Sequence, residues 1–260
     1  MNPEPHIQAL RFDIDAGLGG RAKVGLIVLQ TDQTIEHEFA TALRRDDVAL
    51  YHARIPNEMD VTPDTLSQME ADLPVAAALL PPAFEFNVIG YCCTSGATMI
   101  GEGRVDEILR RVHPNAKTTN PLTACKAALQ ALGLKRIALI TPYTAEVTAE
   151  LRDTLALAGF TVSAVGSFNQ SDDFTVARIS SGSILAAIQE VGAREDCDGV
   201  FVSCTSLRVL PVISEAEARL GKPVLSSNLA TAWHLARLAG ITDTSNNAGR
   251  IFQHQLTSQD

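Results

Sequence analysis

The sequence predicts an α/β protein of two pseudo-symmetric lobes, each a mostly parallel sheet flanked by helices. Three observations carry that expectation. Short apolar, β-branched runs alternate with longer stretches of helical period, the pattern of βα units laid on a parallel sheet. The order of these runs occurs twice along the chain. The two copies also keep register: Val24 and Ile137 stand 113 positions apart, and Cys93 and Cys204 stand 111 apart, as an internal duplication requires.

Each element follows in order. KVGLIVLQ from Lys23 is the first strand, followed by a helix over 34–43, a strand in DVALYHARI from Asp47, a helix over 65–80 and a strand in FNVIGYCCTS from Phe86. The second copy restarts at Lys135. RIALITPY from Arg136 is a strand, 147–158 a helix stopped at Gly159, FTVSAVGSF from Phe160 a strand, 176–191 a helix, and DGVFVSCTS from Asp198 a strand. A short strand over 223–227 and a helix over 229–238 come next, the helix returning to the first lobe. The polar tail from Asn246 is expected to fray. The lobes are expected to comprise 1–118 with 226–260, and 119–225.

The composition narrows the function. The 260 residues hold 21 Lys and Arg against 30 Asp and Glu, a net charge of −9, and such a field repels phosphate backbones and anionic headgroups. Nucleic acid and membrane surfaces are therefore not expected as partners. No uncharged apolar run reaches the ~20 residues that span a bilayer, and the first residues lack a basic and apolar leader. The five Cys are odd in number and form no CxxC pair, which points to reduced thiols and a cytoplasmic location. The six His show no HxH or HExxH spacing, so neither a metal nor a cofactor is expected. A homo-oligomer acting on a small-molecule carboxylate is the expected form.

The third strand of each copy ends in the same tripeptide, Cys93-Thr94-Ser95 and Cys204-Thr205-Ser206. Pseudo-twofold symmetry brings the carboxyl ends of both strands to a shared crevice, where open α/β sheets bind ligands. A thiol at a strand end before a helix meets backbone N–H groups and the helix dipole, which lower its pKa from ~8.5. Two such thiols facing each other can act on opposite faces of one carbon, one removing an α-proton and the other supplying one. Thr94, Ser95, Thr205 and Ser206, with their backbone N–H groups, suit a carboxylate whose charge grows in the transition state. Free Cys otherwise serves as a small buried hydrophobe. Cys125 and Cys197 fit that description, being unmatched between the copies, and so does Cys92, which points to the opposite strand face from Cys93.

At these residues the chain resembles the cofactor-independent aspartate/glutamate racemase superfamily over most of its length, from about Lys23 to Gly240. GLIVLQTDQTIEHEF from Gly25, CCTSGAT from Cys92, ITPYTAEV from Ile140, DDFTVARIS from Asp172 and VSCTSL from Val202 are similar to the branch of maleate cis-trans isomerase, arylmalonate decarboxylase and ectoine-utilisation protein A. VLQTDQTIE and DFTVARIS resemble the ectoine-utilisation group most. The resemblance implies the racemase-like fold, a catalytic pair in Cys93 and Cys204, and carboxylate binding at Tyr143. It also places Asp32 and Asp173 where maleate isomerases carry Asn. Negative charge at positions where a dicarboxylate needs donors costs several kcal/mol in a dry site. The expected reaction is therefore racemisation or isomerisation of a small amino acid or N-acyl amino acid, of the kind met in ectoine and diaminobutyrate breakdown.

Plainer roles stand beside these. Asp32 and Asp173 each precede a helical segment and suit N-caps, Tyr143 suits a packing role, and Arg178 a solvated helix charge. Cis-trans isomerisation of a maleate-like diacid is the alternative, Cys93 adding to the double bond and Cys204 supplying the proton. Decarboxylation fits less well, since the arylmalonate enzymes lack the first-lobe Cys. A non-catalytic small-molecule binder has no need of two matched thiols.

Overall fold

The strand Ala22–Leu29 (β1) is apolar on both faces, with Leu26, Ile27 and Val28 fully buried, as a central strand of a parallel sheet must be. In the computed structural model, which describes residues 7–58, 62–244 and 249–257, the chain continues through helix Ile35–Ala42 (α1), strand Val48–Ile55 (β2), helix Pro63–Ala78 (α2) and strand Val88–Cys92 (β3). Helices Thr94–Ile100 (α3) and Glu102–Val112 (α4), strand Lys117–Thr119 (β4) and helix Pro121–Ala131 (α5) complete the first copy. The second runs Arg136–Thr141 (β5), Ala145–Leu157 (α6), Thr161–Ser167 (β6), Asp173–Val176 (α7), Ser181–Gly192 (α8), Gly199–Val202 (β7), Leu210–Leu220 (α9), Val224–Ser226 (β8) and Ser227–Leu238 (α10).

The strands form two parallel four-stranded sheets, ordered β2-β1-β3-β4 and β6-β5-β7-β8. Val24 pairs with Val88 in the first and Ile137 with Gly199 in the second, so the offsets read in the sequence recur in the registers. β3 and β7 occupy equivalent places beside the central strands, and the CTS tripeptides follow their carboxyl ends. The lobes are joined by helices: α3 packs on α6, while α10 packs on α1, α5 and β3. No helix among the described residues is long and apolar enough to cross a membrane.

Several elements differ from the sequence expectation. FNVIGYCCTS reads as one strand, yet pairing with β1 ends at Cys92 and Thr94 already begins α3. The helix expected over 176–191 starts later, at Ser181 of α8, because the short α7 ends at Val176 and Ser180 caps the new start by accepting from the Ser183 N–H. Helices α4, α5 and α9 and strand β4 lie in stretches to which the sequence reading assigns no element. The tail expected to fray from Asn246 falls partly outside the described residues, and its described part is held. Arg250–Gln253 form a 3₁₀ turn with Ile251 and Phe252 buried, and the Arg237 guanidinium donates to the carbonyls of Phe252 and His254, each at 2.9 Å.

Candidate active site

Both matched thiols line one cavity. Its wall includes Cys93, Thr94 and Ser95 from the first lobe and Tyr143, Asp173, Cys204, Thr205 and Ser206 from the second, with Leu29, Asn57, Glu58, Thr65, Leu66 and Met69 closing it. No Lys, Arg or His is among these residues. Every tripeptide position singled out in the sequence is thus brought to one place, together with Tyr143 and Asp173.

Cys93 is the N-cap of α3. Its backbone is extended, and its Sγ accepts from the Gly96 N–H at 3.2 Å, with Ser95 Oγ 3.7 Å away. The helix-entry residues Thr94 and Ser95 carry N–H groups with no partner inside the helix, and these are the donors a substrate carboxylate would meet. Gly96 belongs to the same construction, since a Cβ there would run into Tyr91 Oη, Met69 Cε and Cys93 Sγ.

Cys204 is held differently. Its φ of 102° lies in the left-handed region, a conformation that costs on the order of 1–3 kcal/mol for a non-glycine residue. Its N–H donates to Ser227 Oγ at 3.0 Å, and its Sγ accepts from the Ser206 N–H at 3.4 Å. Ser227 Oγ also lies 2.7 Å from Thr94 Oγ1, so one hydroxyl at the start of α10 ties the two thiol loops together. Thr34 donates to the Ser206 carbonyl at 2.8 Å, a further cross-lobe bond.

Burial corrects the expectation of acidic thiols. It pushes Cys93 up to about 11, only partly offset by the Gly96 N–H and the Ser95 hydroxyl, and the charge of Asp173 adds to the rise. Cys204 is pushed further up, first by burial and then by the negative charges of Asp173 and Asp32. The helix-entry N–H groups are present, but with no cation beside either sulfur among the described residues desolvation wins. Burial likewise raises the Tyr143 phenol, whose hydroxyl lies 3.2 Å from Ser203 Oγ.

The two aspartates part company. Asp173 is buried in the cavity wall and accepts from the Thr31 hydroxyl, which in turn accepts from Asn57 at 2.9 Å. It is not the cap of α7, because Asp172 accepts from the Thr175 N–H at that end. Asp32 stands behind the wall. Its Oδ1 accepts from the Thr34 and Ile35 N–H groups at 2.7 and 2.8 Å, which supports the entry of α1. Its Oδ2 is buried beside Thr205 without a hydrogen-bond partner among the described residues, and burial raises its pKa. Cys92 is fully buried on β3, and Cys125 and Cys197 lie outside the cavity wall. Arg178 is exposed and stacks on the Phe174 ring. Among the described residues no cluster of His, Cys, Asp and Glu is placed to hold a metal.

Sequence reasoning missed Ser227, Asn57, Asn228 and Glu38. Ser227 and Asn228 open the returning helix and had no visible tie to the thiols. Glu38 did leave a signal: it falls on the apolar stripe Ile35, Phe39, Ala42, where a charge is out of place.

A cysteine from each of two duplicated α/β lobes on one shared cavity defines a protein of the aspartate/glutamate racemase-like class. The family described as arylmalonate decarboxylase matches residues 72–252, and the chain belongs to that family. It is 28% identical over 244 residues to the maleate isomerase of Nocardia farcinica, covering 90% of this chain and 96% of that one. It is 35% identical over 123 residues to the arylmalonate decarboxylase of Bordetella bronchiseptica, covering 47% and 51%. A Cys-to-Ser mutant of Nocardia farcinica maleate cis-trans isomerase with a covalently bound succinylcysteine intermediate shares the fold, with a TM-score of 0.84 at 24% identity over 92% of this chain and 99% of that one.

Proposed function

We propose that this protein is a cofactor-independent isomerase that inverts the α-carbon of a small amino acid or N-acyl amino acid, with Cys93 and Cys204 as the two proton-transferring groups. The observation that carries the reading is the cavity wall: two thiols, one from each lobe, beside a buried carboxylate, with no basic side chain among the described residues that line it. Two groups on opposite faces of one carbon are what inversion by proton transfer requires. The substrate carboxylate would take the N–H groups of Thr94, Ser95 and Thr205 and the Ser206 hydroxyl, whose buried oxygen has no partner among the described residues. As charge moves onto that carboxylate in the transition state, fixed donors gain strength without reorganising.

The amino end of the substrate faces Asp173. A thiol pushed up to about 11 stays protonated near neutral pH, and part of that rise comes from negative charge in the site. An ammonium paired with Asp173 would offset this charge and ease ionisation of the thiols as the substrate enters. Similarity of VLQTDQTIE and DFTVARIS to the ectoine-utilisation group supports a diaminobutyrate-type compound or its N-acetyl derivative. A second reading, cis-trans isomerisation of a maleate-like diacid with Cys93 as nucleophile, is favoured by the relatives named maleate isomerase.

An NMR screen in deuterated buffer separates the two. Small amino acids and N-acetyl amino acids, 2,4-diaminobutyrate among them, are followed for α-deuterium, and maleate for fumarate formation. The proposal expects α-exchange and little turnover of maleate. Efficient conversion of maleate, with no α-exchange in any amino acid, overturns it in favour of the second reading.

A further inference from the structure

Glu38 occupies a place where a charge needs a reason. It is 2% exposed, on the stripe by which α1 meets the core, and burying a carboxylate there is costly unless its oxygens are fully bonded. Its partners are two N–H donors of the second copy. Oε1 accepts from the Leu210 N–H at 2.9 Å, and Oε2 accepts from the Asn228 side-chain amide at 2.8 Å. The same amide nitrogen donates to the Thr205 carbonyl at 2.8 Å. Leu210 opens α9, whose own N-cap, Val209, offers no side-chain oxygen.

We infer that Glu38 is a positioning residue whose carboxylate, reaching across from the first lobe, grips both ends of the loop that carries Cys204. One oxygen fixes the far end at Leu210, and the other fixes the near end at Thr205 through Asn228. The loop has need of such a grip, because Cys204 sits at φ 102° and no helix follows it directly to hold the turn, as α3 does for Cys93. The orientation of Asn228 belongs to the device. Its Oδ1 is buried without a partner among the described residues, a loss accepted so that Nδ2 can serve Glu38 and Thr205 together. The inference rests on Cys204 being one of the reacting thiols.

The test reads alkylation of all five cysteines by iodoacetamide at fixed pH, mapped by peptide mass spectrometry. In Glu38→Gln the amide oxygen still accepts from Leu210, but the new NH2 faces the NH2 of Asn228. Asn228 must turn over and release the Thr205 carbonyl. The expected result is a change in the Cys204 rate on the order of tenfold or more, the scale of a lost charge-assisted bond, with Cys92, Cys93, Cys125 and Cys197 at wild-type rates. Adding Asn228→Asp gives the newly introduced amide an acceptor but leaves no donor for Thr205. In that double variant the melting temperature should recover while the Cys204 rate stays changed. An unchanged Cys204 in Glu38→Gln, recovery of its rate in the double variant, or equal acceleration at all five cysteines in both variants would overturn the assignment. No turnover is measured, so an error in the substrate class would leave this result readable.

Discussion

The two CTS loops share a tripeptide and differ in almost everything that surrounds it. Cys93 leads straight into a helix whose N–H groups meet its sulfur, and its backbone is regular. Cys204 turns through a left-handed conformation and depends on Ser227, Thr34, Asn228 and Glu38 for its shape. The copies part within the motif itself. At the fourth position of the motif the first copy has Gly96, which lets the helix close against Tyr91 and the thiol, whereas the second has Leu207, fully buried. A duplicated motif therefore yields unequal thiols, and the less strongly raised one, Cys93, is suited to lose its proton first.

The largest effect should follow removal of either sulfur. Cys93→Ser and Cys204→Ser are each expected to lower racemisation by about 10²–10⁴-fold, the usual worth of a positioned acid or base, with the fold retained by circular dichroism. A variant that kept wild-type turnover would break the two-thiol account.

The inequality itself shows in pH dependence. Because burial raises Cys93 to about 11, its free form is protonated through the neutral range, and the reactive thiolate grows as pH rises. Alkylation of Cys93 should climb about tenfold per pH unit from neutral pH and level off only near its pKa. Cys204 should be slower throughout. A plateau for Cys93 below pH 8 would mean that the helix N–H groups outweigh desolvation.

A smaller effect is expected at Asp173. Asp173→Asn exchanges a repelling charge for a neutral group that can donate, and should tighten binding of a dicarboxylate such as succinate by about tenfold, measured by calorimetry. Weaker binding would remove the charge argument against diacids.

Most of the fold was legible because a duplicated βα pattern is a local signal repeated in register. KVGLIVLQ and RIALITPY read as strands on apolar content alone, and Gly159 marked a helix end that its φ of 90° confirms. The stretch holding α4 also carried a signal, with Val105, Ile108 and Leu109 buried at helical spacing, but it lies beyond the CTS tripeptide at which the repeated pattern stops, as does its counterpart α9 in the second copy. The start of α3 was hidden by its own composition, since CCTS continues an apolar strand until capping by Cys93 turns the chain. At the site, the thiols and their hydroxyl neighbours were legible from the repeat. Ser227, Asn228 and the grip of Glu38 were not, because contacts between lobes depend on how two sheets dock, and no spacing along the chain encodes that. The thiol pKa shifts were misjudged for the same reason: a helix dipole can be read locally, whereas desolvation is set by what closes over the site.

The central claim is that the two thiols serve opposite faces of one carbon, and tracing solvent deuterium through the earliest turnovers tests it most directly. With a turned-over amino acid in deuterated buffer, the account predicts that newly formed enantiomer carries a solvent deuterium at the α-carbon while the remaining substrate keeps its proton. One thiol removes the proton, and the other, already exchanged with solvent, delivers the replacement. Product that retained the substrate's own α-proton would mean that a single group works both faces, and would contradict the account.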